Sequence, residues 1–194
     1  QQTNIANYLN HYNAKIDKEI SLINKKINLL EEYKQALIYE CVTKGLDKNV
    51  EMKDSGIEWI GILPKHWGVK RLKSVLNINK GDIFNEDTVI ENGIYPYING
   101  GTKPSAWSNS YNTNPNTIAV SEGGASAGFS QLMKTRYWAG THCYKIDTKS
   151  GHNIEYFYYV LKGFEKPIMS EKTGSAMPNL QKNKFINYIV PFTK

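Results

Sequence analysis

Residues 4–44 contain neither Gly nor Pro, and no other stretch of the chain runs so far without one. Gly and Pro are the residues that helix interiors exclude most strongly, so the run predicts a single long α-helix. Thr3 is the expected N-cap. Lys44-Gly45 is the expected stop, with a cation in the last turn and a glycine after it that tolerates the left-handed conformation. A helix of this kind is about 60 Å long, more than one small domain needs. Its apolar side chains recur at Ile5, Leu9, Tyr12, Ile16, Ile20, Ile23, Ile27 and Leu30, then at Leu37 and Cys41. The steps alternate between four and three residues, with one extra four-residue step at Ile16–Ile20, which is a heptad seam with a stutter. Leu22, Leu29, Tyr33 and Ala36 widen the apolar face. A seam this long on one helix cannot bury itself. It predicts a partner helix, with Ile16, Ile20, Ile23, Ile27, Leu30 and Leu37 as the pairing positions.

After Gly45 the character of the chain changes. Residues 47–58 are polar and read as a linker, and from Trp59 onward Trp, Tyr, Gly, Asn and Pro become frequent while apolar stretches shorten. The expected organisation is therefore a coiled-coil helix over 1–46, a linker over 47–58 and a second domain over 59–194. β-Branched and aromatic enrichment between turn signals predicts strands near 69–78, 94–98, 117–121, 128–133, 141–146 and 185–190. Asn153 should start a helix, because Ile154, Phe157, Tyr158 and Leu161 follow at i, i+3, i+4 and i+7. The fold class is α+β: a long helix, then a mixed α/β domain with long polar loops.

Charge and cysteine content narrow the function. The formal charge is +6, and residues 51–194 hold most of it, with 17 basic against 12 acidic groups. That surplus permits nucleic-acid binding without requiring it. Cys41 and Cys143 are far apart and form no CxxC, so neither a disulfide framework nor a zinc knuckle is expected. With no apolar run of membrane-spanning length, the chain is expected to be soluble and cytoplasmic.

Residues 99–117, NGGTKPSAWSNSYNTNPNT, read as one long loop rich in Asn, Ser and Thr around Trp107 and Tyr111. A loop of this length in a compact domain is usually functional or disordered, and two large aromatics argue against disorder. Amides for adenine edges, lysine for guanine or phosphate, and rings for stacking make up the equipment of a base reader.

Catalytic readings fail on spacing. Gly124-Ala-Ser126-Ala-Gly128 fits the G-x-S-x-G of a nucleophile elbow, but an elbow needs a helix immediately after the serine. The following residues predict another strand. The same glycines lack the Lys-Ser/Thr of a Walker loop and the three-glycine dinucleotide spacing. His11, His66, His142 and His152 share no ligand spacing, so no metal site is expected. Gly123, Gly124 and Gly128 are better explained by a tight turn between strands, where backbone approaches a partner closely or adopts positive φ.

These features come together in a resemblance. The helix QQTNIANYLNHYNAKIDKEISLINKKINLLEEYKQALIYECVTKGLD resembles the spacer helix of type I restriction-modification specificity subunits. MKDSGIEWIGILPKHWGVKRLK resembles the opening of a target recognition domain in that family, and YPYINGGTKPSAW, NTIAVSEGGASAGFSQ, YWAGTHCYKI and GSAMPNLQKNKFINYIVPF continue it. The resemblance implies a non-catalytic subunit that binds double-stranded DNA and reads half of a bipartite target. It also implies docking to methyltransferase subunits, association with a restriction subunit through that complex, and no cofactor of its own. In that family two spacer helices pack antiparallel between two recognition domains. This chain has one of each, about half of a full subunit, so its helix is expected to self-associate. The alternative from composition alone is a coiled-coil adaptor whose globular domain binds protein.

Asn99, Thr102, Lys103, Ser105, Trp107, Asn109 and Tyr111 are the candidate base readers from the loop. Ser121, Glu122 and Ser126 of the glycine turn are expected alongside, with Glu122 accepting from a cytosine amine or holding Lys103. Lys80, Arg136, Lys172, Ser175, Lys182 and Lys184 are the candidate phosphate contacts.

Overall fold

The computed structural model describes residues 1–85, 90, 92–149, 151–170 and 179–193. The Gly- and Pro-free run forms α1 (Gln2–Lys44), one helix of 43 residues. Its ladder opens with the Ile5 amide donating to the Gln1 carbonyl at 3.1 Å. Thr3 therefore lies inside the first turn and does not cap it. At the other end the Gly45 amide donates to the Cys41 carbonyl at 3.1 Å, and Gly45 takes φ +74°, the left-handed stop that Lys44-Gly45 predicts.

The chain divides into two compact units, Gln1–Leu37 and Ile38–Lys194. Within the first, every residue up to Lys34 is exposed. The seam residues Ile16, Ile20, Ile23, Ile27, Leu30 and Leu37 range from 45 % to 56 % exposed. Nothing within that unit covers them.

The second unit begins with the end of α1, where Val42 and Thr43 are buried. β1 (Met52–Asp54) falls within the stretch read as a linker and pairs antiparallel with β2 (Ile62–Pro64). Then come β3 (Gly68–Arg71), α2 (Leu72–Val75) and β4 (Leu76–Lys80). The predicted strand over 69–78 is thus broken in two. Leu72 and Val75 are buried, and the Leu72 amide donates to the Tyr188 carbonyl at 3.0 Å, so the chain turns there from one sheet into another. β5 (Tyr95–Ile98), β6 (Ala106–Ser108), β7 (Thr117–Ser121), β8 (Ser130–Met133), β9 (Trp138–Ala139) and β10 (Cys143–Thr148) follow. After them come α3 (Ile154–Gly163), α4 (Glu165–Ser170), α5 (Lys182–Asn187) and β11 (Ile189–Phe192), which pairs with β3. The strand expected over 185–190 is a helix as far as Asn187, because Phe185 is its one fully buried side chain and the turn beginning at Gln181 carries it inward.

The centre of the unit is an antiparallel sheet in the order β4-β10-β7-β8. All five residues of β7 are buried, which requires cover on both faces. On one face Ile118 and Val120, with Tyr144 and Ile146 of β10, join Phe157, Val160 and Leu161 of α3 in the main core. On the other, Ala119 and Cys143 join Ile98, Met133, Tyr137 and Ala139 in a second cluster. Each large apolar side chain buried this way contributes about 1.5–3 kcal/mol. Asn153 caps α3 as its position predicts, its side chain accepting from the Glu155 and Tyr156 amides at 2.8 and 3.2 Å.

A smaller sheet, β6-β5-β9, has β5 antiparallel to β6 and parallel to β9. β6 lies inside the stretch expected to be a single loop, so 95–108 is a hairpin closed by the turn 99–105. No helix of the described residues is long and apolar enough to cross a membrane.

Candidate nucleic-acid interface

At the Ser121 end of β7 three turns meet. The glycine turn closes on itself through Gly128 N–H donating to the Ser121 carbonyl (2.8 Å) and Ala127 N–H to Gly124 (3.1 Å). Gly124 and Gly128 take φ +72° and +93°, so the Gly-rich composition is a backbone requirement. The 140–142 turn is tied to it by the Glu122 amide, which donates to the His142 carbonyl at 2.9 Å. Asn99 at the end of β5 ties in the third turn, its Oδ1 accepting from the His142 amide at 3.1 Å. Gly100 (φ +85°) passes so close that a Cβ would sit 2.8 Å from the His142 oxygen. Gln131 donates to the Gly101 carbonyl at 3.1 Å. Finally Leu180 N–H donates to the Glu122 carbonyl at 2.7 Å, and Gly123 bridges Asn179, which brings the start of the α5 segment to the same place.

Glu122 is the electrostatic centre of this assembly. Its side chain is only 15 % exposed; one oxygen accepts from the Tyr144 hydroxyl at 2.7 Å and the other meets Lys80 Nζ at 2.9 Å. Burial, with the adjacent carboxylate, pushes the Tyr144 phenol up, so it stays protonated and donates. Glu122 therefore holds Lys80, not Lys103. The strand order explains the exchange: β4 ends beside β10 with Lys80 opposite Tyr144, and β10 lies beside β7 with Tyr144 opposite Val120. Lys103 sits in the turn beyond.

The remaining candidates divide. Thr102, Lys103, Pro104 and Ser105 are exposed, and the backbone amide of Ser105 is pinned to the Tyr97 carbonyl at 2.8 Å. Ser121 is 3 % exposed, its hydroxyl directed to the Gly123 carbonyl and Ser126 at 3.3 Å, so it offers no group to a ligand. Asn99 spends its oxygen on the backbone of His142. Trp107 is 44 % exposed in β6, on the edge of the small sheet and outside both core clusters. Asn109 is exposed, and its Oδ1 accepts from the Ile94 amide at 3.2 Å. With Tyr111 and Arg136 it lies at the opposite end of the hairpin from the 99–105 turn, about 10 Å away for strands of this length. Lys182 and Lys184 are exposed on α5. Lys172 and Ser175 lie outside the described residues.

Three contributors escape the sequence. His142, Tyr144 and Asn179 complete the turn assembly; they lie in the stretches YWAGTHCYKI and GSAMPNLQKNKFINYIVPF, but no spacing in the sequence singles them out. The nucleophile-elbow reading does not match the geometry around Ser126. The nearest side-chain partner of the Ser126 hydroxyl is Ser121, strand β8 follows the turn, and His152 packs against Phe157 and Phe192. Among the described residues no cluster of three or more His, Cys, Asp or Glu could hold a metal ion.

Comparison with known proteins gives the family and the fold. The model of a family described as the type I restriction modification DNA specificity domain matches residues 64–193. S.MpnORF638P of Mycoplasma pneumoniae, named as a type I specificity subunit, is 30 % identical over 131 residues, covering 66 % of this chain and 35 % of that protein. The type I restriction enzyme MjaVIII specificity subunit of Methanocaldococcus jannaschii is 33 % identical over 94 residues, 48 % of this chain and 20 % of that one. The chain thus spans about a third or less of the length of the curated relatives it matches. In fold it is similar to the S subunit of a type I restriction-modification system from Mycoplasma genitalium, with a TM-score of 0.65 at 23 % identity over 78 % of this chain and 37 % of that one. The HsdS subunit from Thermoanaerobacter tengcongensis gives 0.57 at 16 % identity, over 90 % and 42 %. With most of the second unit inside the family model, the chain belongs to the type I restriction modification DNA specificity domain family.

Proposed function

We propose that residues 59–194 read one half of a bipartite double-stranded DNA target, and that the chain directs a type I methyltransferase/restriction complex to it with no catalysis of its own. The observation that carries this is the assembly of turns at the end of β7. Thr102, Lys103 and Ser105 are exposed on a turn whose base is locked by hydrogen bonds from the His142 amide to Asn99, from Gln131 to the Gly101 carbonyl and from the Ser105 amide to the Tyr97 carbonyl. Base reading needs that combination, since groups held in place lose little entropy on binding. Glu122, with its two oxygens held by Tyr144 and Lys80, fixes that lysine beside the turns. Lys80, Lys182 and Lys184 supply positive charge for the phosphates, which position the duplex without reading it.

In this reading residues 1–46 are the spacer helix and 47–58 the linker. The exposed seam pairs with a second copy, antiparallel, and methyltransferase subunits dock on the resulting assembly, through which the restriction subunit is reached. Such a complex works on cytoplasmic DNA. The exposed Trp107 also suits a protein epitope, and one measurement separates the two readings. Retention of duplex DNA should fall steeply with salt, with a log–log slope of about −0.9 per phosphate contacted. Replacing Lys182 and Lys184 by Ala should flatten that slope by about two units. A chain whose DNA retention is absent or independent of salt would be the adaptor.

A further inference from the structure

At the far end of the small sheet, Arg136 stands over the ring of Tyr111, its guanidinium carbon 4.6 Å from the ring centroid. Tyr111 in turn meets Tyr95 edge to face at 5.0 Å. Both Arg136 and Tyr111 are exposed. Among the described residues Arg136 has no carboxylate or hydrogen-bond partner, whereas Lys65, Lys80, Lys134, Lys145 and Lys162 are all ion-paired. An exposed cation on a loop would ordinarily be mobile. Here the neighbouring backbone at Tyr137 is fixed.

Thr113 and Tyr137 exchange amide–carbonyl bonds of 3.1 and 3.2 Å, two residues from Tyr111 and one from Arg136. Asn112 clamps the same place, donating to Asp82 and to the Ala139 carbonyl at 2.9 Å and accepting from the Ala139 amide at 2.7 Å. Tyr137 is fully buried beneath, its hydroxyl 3.3 Å from Thr117. The sheet register places Arg136 level with Tyr95, because Tyr97 pairs with Trp138 in parallel. The stack therefore stands at the opposite end of β5 from the 99–105 turn.

We propose that Arg136 is a specificity-determining residue that reads a guanine edge, with Tyr111 and Tyr95 as positioning residues beneath it. This rests on the DNA-reading function above, and it moves Arg136 from phosphate contact to base reader. Three chemical facts support it. A guanidinium is planar and presents a fork of donors that matches O6 and N7 of guanine bidentately. Stacking on an aromatic face occupies its π surface and leaves the donor edge outward. Pre-orientation lowers the entropy lost on binding. The chain contains only two arginines among its 24 basic residues, so groups capable of that fork are scarce. Reading from both ends of β5 also gives a half-site contact wider than one turn supplies.

The test is selection of duplexes from a library with a randomised window by the full chain, comparing the unmodified protein with Arg136→Lys, Arg136→Ala, Tyr111→Phe and Tyr111→Leu. The unmodified chain should enrich a motif with a G·C pair at one position. Both Arg136 variants should lose that preference by about tenfold or more while the other positions keep theirs. Tyr111→Phe, which keeps the ring, should retain the preference, and Tyr111→Leu should weaken it at the same position. Arg136→Lys behaving like the unmodified chain, or Arg136→Ala weakening all duplexes alike with a shallower salt slope, would return Arg136 to the phosphates and overturn the proposal. If the unmodified chain enriches nothing, the DNA-reading function itself falls, and this assignment with it.

Discussion

The two units of the chain solve the hydrophobic problem in opposite ways. In Ile38–Lys194, Ile118, Val120, Tyr144 and Phe157 have almost no solvent exposure, and β7 is covered on both faces. In Gln1–Leu37 the seam isoleucines and leucines stand about half exposed. The first kind of stability is a property of the single chain. The second exists only when another surface arrives, since helix propensity alone leaves isolated helices marginal and most helical stability comes from packing an apolar face. The stability of the first unit should depend on concentration and partner, and that of the second on neither.

That contrast can be broken, beginning with the largest effect. All four tryptophans, Trp59, Trp67, Trp107 and Trp138, lie in the second unit, so their fluorescence follows it alone. Burial pushes the Cys143 thiol up to about 12 from 9.0 and the Tyr156 phenol up to about 12 from 10.0, and it raises Tyr137 and Tyr144 further. The folded form holds these protons more tightly than the unfolded chain. The stability these groups contribute is therefore full below about pH 9 and is lost as pH rises toward about 12. Tryptophan fluorescence should change in one cooperative step within that window, with a step in tyrosinate absorbance at the same pH. A tryptophan signal that stays flat through the window would show that these groups are not shielded.

Next in size is the core. Phe157→Ala removes a ring from beneath β7 and should destabilise the second unit by about 3–5 kcal/mol in denaturant titrations followed by tryptophan fluorescence. It should leave self-association untouched. The seam gives the mirror image. Replacing Ile23 and Ile27 together by Asp should convert the associated form to monomer in light scattering, because an unpaired carboxylate buried in an interface costs several kcal/mol. The tryptophan melt should not move. A chain that is already monomeric at micromolar concentration would show that the seam belongs to a different partner. Smallest of all, Thr102→Ala or Lys103→Ala should change the stability of the second unit by less than about 0.5 kcal/mol, since both side chains are exposed.

Local signals carried much of this architecture. The absence of Gly and Pro set the length of α1, Gly45 its end, Asn153 the start of α3, and the apolar run TIAV the most buried strand. Each is decided within a few residues. What local signals missed depends on which distant strands become neighbours. Ser121 reads as the polar tip of a strand, yet the turn through Ser126 folds over it. Glu122 sits nearer Lys103 than Lys80 in sequence, yet the order β4-β10-β7 delivers Lys80. β6 and β9 are three and two residues long, too short for alternation to show, so a hairpin read as a loop. Tyr111 and Arg136 stand out singly by residue type, and nothing in the sequence joins them.

The turn at 99–105 has a consequence for how such a chain changes over generations. Asn99 and Gly100 are fastened to the 140–142 turn, but from Thr102 to Ser105 only a backbone amide is tied down. A substitution there meets no core and breaks no buried bond, so natural selection can try new side chains at those positions without the fold acting as a filter. Whatever surface the turn meets, its preference is free to drift while the scaffold beneath it stays the same.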